Sequence, residues 1–129
     1  EFGATTGRPR RCGWLDMVLI RYACMVNGVT DLAVTILDGL DERESIKVCV
    51  AYDIDGERHD FPPANRAAWD RAQPVYEEFP GWQSDTTSAR SWDELPDNAR
   101  AYLTRLGELA GAPVSYIGNG PEREQTIVV

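Results

Sequence analysis

Three arginines within four positions, Arg8, Arg10 and Arg11, stand in the stretch TTGRPRR of a chain whose formal net charge is −8. Thirteen Lys and Arg residues face twenty-one Asp and Glu over the whole sequence, so this cluster is a local exception. Thr5, Thr6 and Gly7 precede the first arginine. Successive backbone N–H groups around a glycine, with threonine hydroxyls beside them, suit an oxyanion. Arginine adds planar, two-pronged recognition of carboxylate or phosphate. The competing reading is an exposed basic loop that pairs with the protein's own acidic side chains, because surface charges are usually only solvated.

Two further loops carry residues suited to binding. Asp38 follows the apolar run LAVTIL, residues 32–37. Open α/β sheets place ligand-binding groups at the carboxyl ends of their buried strands. A carboxylate there can accept from two adjacent donors, such as the N1–H and N2 amine of guanine; adenine has no such pair on that edge. Alternatively, Asp38 simply starts a turn before Gly39. In IGNGPERE, residues 117–124, Gly118 and Gly120 flank Asn119 ahead of Pro121. Backbone without a Cβ can approach a flat ligand closely. A plain strand-connecting turn accounts for the same letters.

The elements that must hold these loops follow from periodicity. Leu15, Val18, Leu19, Tyr22 and Val26 have i, i+3, i+4 spacing and predict a helix, with Asp16 at its start and Gly28 at its end. LAVTIL predicts a buried strand over 32–37. IKVCVAY (46–52) alternates as a strand, Asp55-Gly56 marks a hairpin, and ERHDF is its return strand. Residues 64–92 resist assignment beyond a short helix near Arg66–Arg71. Ser91 and Glu94 have capping-box spacing ahead of a helical stripe through Ala99, Tyr102, Leu103, Leu106, Leu109 and Ala110, closed by Gly111 and Pro113. PVSYI and TIVV predict two last strands. The order is that of an α/β or α+β fold, with Leu19, Val34, Val48 and Leu106 as core. Trp14, Trp69, Trp82 and Trp92 are read as core or as cover over the sheet.

The bulk numbers set the class. A length of 129 residues suits one domain with a real core, and 43% apolar with 26% charged residues suits a globular chain. A sequence pI near 4.6 argues against nucleic acid, which needs a broad basic surface. No apolar run approaches the roughly 18 residues of a membrane span. Cys12, Cys24 and Cys49 are odd in number and lack CxxC spacing, so neither a disulfide framework nor a zinc site is expected, and a cytoplasmic location is. His59, the one histidine, reads as an ordinary surface side chain. The opening EFGATTGR, without an initiator methionine, reads as the interior of a longer protein.

Taken in order, EFGATTGRPRRCGWLD, LAVTILDGLD, PVYEEFPGW and GNGPERE followed by TIVV resemble the C-terminal part of the adenylosuccinate synthetase family, over essentially all 129 residues. The resemblance implies the C-terminal portion of that family's P-loop-like α/β fold, with helices on a mixed sheet plus a β-hairpin, as one unit spanning 1–129. It implies a GTP-dependent ligase that joins IMP and L-aspartate with Mg²⁺ in AMP biosynthesis. GTP phosphorylates the purine O6, and the aspartate amine then displaces that phosphate. Thr5, Thr6, Gly7 and Arg8 match the family's loop that closes on aspartate. Arg8 also matches the arginine that reaches IMP, and Arg10 one near both aspartate and the nucleotide. Leu37 and Asp38 match the guanine-reading stretch, while Gly118, Asn119, Gly120 and Pro121 match the loop on the other side of the base.

Departures from the family pattern accompany the matches. The usual Thr-Lys-Leu-Asp is Thr35-Ile36-Leu37-Asp38 here, which removes an ammonium from beside the base. Gly118 stands where a serine is common, and Pro9 where an arginine often is. No GxxxxGK[ST] loop is present, and the single lysine, Lys47, falls in a predicted strand. The resemblance therefore implies no catalytic residue and no metal ligand in this chain, with Mg²⁺ and the catalytic Asp and His belonging to the family's N-terminal part. Implied partners are small molecules, in a full-length homodimer without nucleic acid or membrane, and the chain alone is expected to be inactive. The rival expectation is a stand-alone guanine-nucleotide-binding or regulatory domain without catalysis.

Overall fold

The computed structural model describes residues 1–129, and two sheets with helices between them make up its frame. In chain order the elements are β1 (Leu15–Asp16), α1 (Met17–Asn27), β2 (Leu32–Val34), β3 (Ser45–Ile54), β4 (Glu57–His59), α2 (Arg66–Trp69), β5 (Gln73–Pro80), α3 (Asp97–Ala110), β6 (Val114–Gly118) and β7 (Thr126–Val128). Strand β3 is the spine of the first sheet. It pairs in parallel with β1 and antiparallel with β4 and β5. The second sheet has the order β2-β6-β7, with β2 and β6 parallel and β7 antiparallel to β6. The chain is thus mixed α/β with a β-hairpin at Asp55-Gly56, in line with the expected class.

Helix α3 carries the core. Ala99, Tyr102, Leu103, Leu106 and Ala110 repeat at helical spacing and are all buried, against Ile46 and Val48 of β3 and Ile117 and Ile127 of the second sheet. Shortening Leu103 or Leu106 to alanine here is expected to cost about 2–5 kcal/mol. The helix starts behind Pro96 rather than at Ser91, whose side chain makes no cap; residues Trp92–Glu94 form a separate single turn. It ends at Gly111 in the left-handed conformation, with φ +76°.

Three expectations need correction. In α1, Met17, Val18 and Cys24 are buried, whereas Leu19, Tyr22 and Val26 of the expected stripe are exposed. Leu15 lies in β1, one residue before the Asp16 cap, so the helix begins later and its buried face is rotated. Trp82 is part of the core, Trp92 packs partly buried against it and Trp69 covers Tyr52 of β3 edge-on at 5.3 Å, whereas Trp14 is exposed and does neither. The segment without an assignment, 64–92, contains β5, which runs beside nearly the whole of β3. Its alternation of half-buried and exposed residues in QPVYEEFP, rather than a strongly apolar run, hid it.

Candidate functional site

The arginine loop is a compact turn. The Gly3 N–H donates to the Arg8 carbonyl at 2.9 Å, Gly7 N–H to Gly3 O at 2.8 Å, and Arg10 N–H to Glu1 O at 2.8 Å. Phe2 and Pro9 form a bridge across it. Gly7 takes φ +65°, a left-handed conformation that a side chain would strain. Thr5, Thr6, Arg8, Arg10 and Arg11 all remain exposed. Arg10 pairs with Glu1 at 3.3 Å, whereas Arg8 and Arg11 have no carboxylate partner. An exposed pair of this kind contributes at most about 1 kcal/mol. Downstream, β1 fixes the loop's exit against β3. Asp16 accepts from the N–H groups of Val18 and Leu19 at 3.0 and 3.2 Å and from the Tyr52 hydroxyl. Burial and the adjacent Asp16 carboxylate push the Tyr52 hydroxyl far above its usual range, so it stays a donor.

Strand β2 stops at Val34, short of the expected Leu37. The reason is Ile36, which stands at φ 60°, ψ 41° and turns the chain into a single 3₁₀ turn over Leu37–Leu40. A β-branched side chain in the left-handed region is an outlier, and such strain collects at functional sites. Leu37 is buried to 1% exposure, so only its backbone is available to a ligand. Asp38 is half-buried on the turn and lines an open cleft of about 920 Å³. Asp41, Glu42 and Asp85 add three more carboxylates to that cleft, against the one guanidinium of Arg43. It is a place for N–H donors, not for phosphates. Hydrogen bonds from Thr87 hold the Asp85 carboxyl below its ordinary range.

The parallel register sets Val34 beside Ile117, so the stretches after β2 and β6 leave the sheet together. A Cβ built on Gly118 would lie 3.5 Å from the Thr35 Cα. The 35–38 and 118–121 segments are therefore neighbours at the carboxyl ends of adjacent strands. Asn119 is fully buried, and its side-chain amide donates to the carbonyls of Thr86 and, at 3.0 Å, Ala89. Its side-chain role is thus internal. At Gly120 any Cβ would fall 2.2 Å from Gln125 Oε1, which is itself held by the Glu122 N–H at 3.0 Å.

Sequence reasoning missed a polar network behind this site. Asp41 accepts from Trp82 Nε1 at 2.7 Å, from the Thr86 N–H at 2.7 Å and from the Thr86 hydroxyl at 2.9 Å. Its own N–H donates to the Asp38 carbonyl at 3.2 Å. Gly81 lets this loop approach, because a Cβ there would sit 1.7 Å from the Arg43 carbonyl oxygen. The cleft holding Asp38 includes none of residues 5–11. An apolar cavity of about 260 Å³, lined by Leu15, Ile20, Val34, Thr35 and Leu106 among others, lies between the arginine loop's exit and the end of β2. No three His, Cys, Asp or Glu side chains converge as metal ligands would. No helix is long and apolar enough to cross a membrane.

Residues 1–127 match the sequence model of the family described as adenylosuccinate synthetase. The chain belongs to the adenylosuccinate synthetase family. It is 54% identical over 129 residues to the adenylosuccinate synthetase of Geotalea daltonii, covering all of this chain and 30% of that protein. Over 128 residues it is 59% identical to the Mycobacterium bovis enzyme, covering 99% of this chain and again 30% of the relative. The fully ligated adenylosuccinate synthetase of Plasmodium falciparum superposes with a TM-score of 0.94 at 37% identity, over all of this chain and 31% of that one. The chain therefore spans about 30% of the length of these synthetase-family relatives.

Proposed function

We propose that this segment supplies the substrate-closing loop and the guanine-reading loops of a ligase that forms adenylosuccinate from IMP and L-aspartate while GTP becomes GDP and phosphate. The observation that carries the reading is the adjacency of the 35–38 turn and the 118–121 loop at the carboxyl ends of parallel β2 and β6. Such ends are where open α/β sheets bind ligands. In this reading Asp38 accepts from N1–H and the N2 amine of guanine, in a cleft whose carboxylates favour donors. Gly118, Gly120 and Pro121 offer backbone to the other side of the base. Leu37 contributes backbone only, and Asn119 holds the loop from within.

Thr5, Thr6, Gly7 and Arg8 hold the aspartate carboxylate, with Arg8 also reaching IMP and Arg10 lying between aspartate and nucleotide. The absence of carboxylate partners for Arg8 supports an external anion as its target. Mg²⁺, the phosphate cradle and the proton-transfer residues are assigned to the rest of the full-length protein, a cytoplasmic homodimer. No step of the reaction is assigned to a side chain of this segment.

Paired variants test the reading in the full-length synthetase that carries this segment. Arg8→Ala should raise KM for aspartate, and Asp38→Asn should raise KM for GTP, each with a loss of about 2–4 kcal/mol in transition-state binding. Unchanged kinetics in both variants would refute it. Alone with IMP, aspartate, GTP and Mg²⁺, the chain should form no adenylosuccinate.

A further inference from the structure

The Asp41 side chain does more than close its own turn. It gathers three donors from Trp82 and Thr86, at 2.7 to 2.9 Å, and so fastens the 82–87 loop to the turn that carries Asp38. The same loop is fastened from the other side. Thr86, itself 1% exposed, presents its carbonyl to the fully buried Asn119 amide, and the Thr87 carbonyl accepts from Gln125 Nε2 at 3.1 Å. Asn119 N–H donates to the Gln125 carbonyl at 3.0 Å. The two loops that flank the proposed base thus share one buried intermediary, with Asp41 and Asn119 as its two fastenings.

We infer that Asp41 is a positioning residue for purine recognition, holding Asp38 and the 118–121 loop at a fixed separation through Thr86 and Asn119. This rests on the guanine reading given above. The physical basis is that a half-buried carboxylate accepting several hydrogen bonds, one of them from the buried Thr86 hydroxyl, allows little freedom, because each lost partner leaves a desolvated polar group on Trp82 or Thr86. A base read from two sides needs both sides held to within a fraction of an ångström. Asp41 also lines the acidic cleft, but its oxygens are already engaged by Trp82 and Thr86. Its contribution to the base is therefore through Asp38 and not by direct contact.

The test compares GTP with inosine triphosphate, which lacks the N2 amine, in the full-length synthetase. Asp41→Asn is nearly isosteric and replaces one acceptor oxygen by a donor. Expected are a tenfold or greater rise in KM for GTP, KM values for IMP and aspartate within twofold, and at least a threefold fall in the GTP-over-inosine preference in kcat/KM. Thr86→Val, which deletes the hydroxyl and keeps the backbone donor, should give the same pattern more weakly, and Thr86→Ser should restore it. Equal loss toward all three substrates, or an unaltered GTP-over-inosine preference, overturns the inference. Asp38→Asn separates the two readings. Where Asp38→Asn abolishes the preference and Asp41→Asn leaves it intact, only the positioning role fails; where neither variant moves it, the guanine reading itself fails.

Discussion

Thr35 and Gly118 face each other across the parallel seam of β2 and β6, with the Thr35 Cα 3.5 Å and its Cγ2 3.6 Å from where a Gly118 Cβ would stand. These are ordinary van der Waals separations, and Gly118 is not among the glycines with positive φ. A small side chain is thus accommodated without strain. Gly118→Ser should change stability by no more than roughly 0.5 kcal/mol and add a hydroxyl at the mouth of the proposed base site. A fall in KM for GTP, with an unchanged Tm, is the expected outcome in steady-state kinetics. A drop in Tm of several degrees would contradict the strain-free clearance seen at this glycine.

Ile36 offers the opposite case. Its left-handed backbone costs an L-residue with a branched Cβ about 1–2 kcal/mol, and its side chain is 58% exposed, so little burial offsets that cost. Asparagine tolerates the conformation better. Ile36→Asn should raise the unfolding free energy of the full-length protein by about 1 kcal/mol, read from urea denaturation. Ile36→Lys places an ammonium beside the proposed base site and should lower KM for GTP. Loss of stability in the asparagine variant would mean that the Ile36 methyl packed on Gly39 matters more than the backbone term.

Gly81 is intolerant for a different reason. Its N–H donates to Glu44 O at 2.9 Å, and its Cβ position overlaps the Arg43 carbonyl. Backbone cannot move aside as a flexible side chain can. Gly81→Ala must therefore displace the 82–87 loop from the Asp38 turn. Expected are a destabilisation of more than about 2 kcal/mol in chemical denaturation and a weakened response to GTP. Wild-type stability in this variant would show that the close approach is not needed.

The legible part of this protein was the part written in periodicity and caps. The α3 stripe, the Asp16 cap of α1, the Asp55-Gly56 hairpin and the strand at 46–52 all follow from local spacing. What escaped was set by tertiary contact. Strand β5 has a half-polar pattern that only its partner β3 explains, and α1 buries Val18 of its expected core face but exposes Leu19, Tyr22 and Val26. The end of β2 depends on one strained residue that propensity would place in a strand. In the candidate site, the glycine-bearing loops announce themselves because backbone freedom has a sequence signature. Asp41 does not, since LDGLD gives two similar aspartates and only the fold distinguishes them. Asp38 lies open to the cleft, and Asp41 is engaged by Trp82 and Thr86.

Alkaline pH supplies a test of the core that is independent of function. Tyr102 is 4% exposed, packed edge-on against Phe79 at 5.5 Å and near Trp82 at 5.9 Å. Burial pushes its hydroxyl from 10.0 up to about 12. A raised folded value means that the neutral phenol is favoured in the folded state. Its contribution is whole below pH 10 and is lost as pH rises toward 12. At about 1.4 kcal/mol per unit, that loss amounts to roughly 2–3 kcal/mol. Urea midpoints measured from pH 9 to 12 should fall in the native protein, and Tyr102→Phe, which keeps the ring and cannot ionise, should flatten that part of the fall. An identical slope in the phenylalanine variant would place the alkaline sensitivity elsewhere.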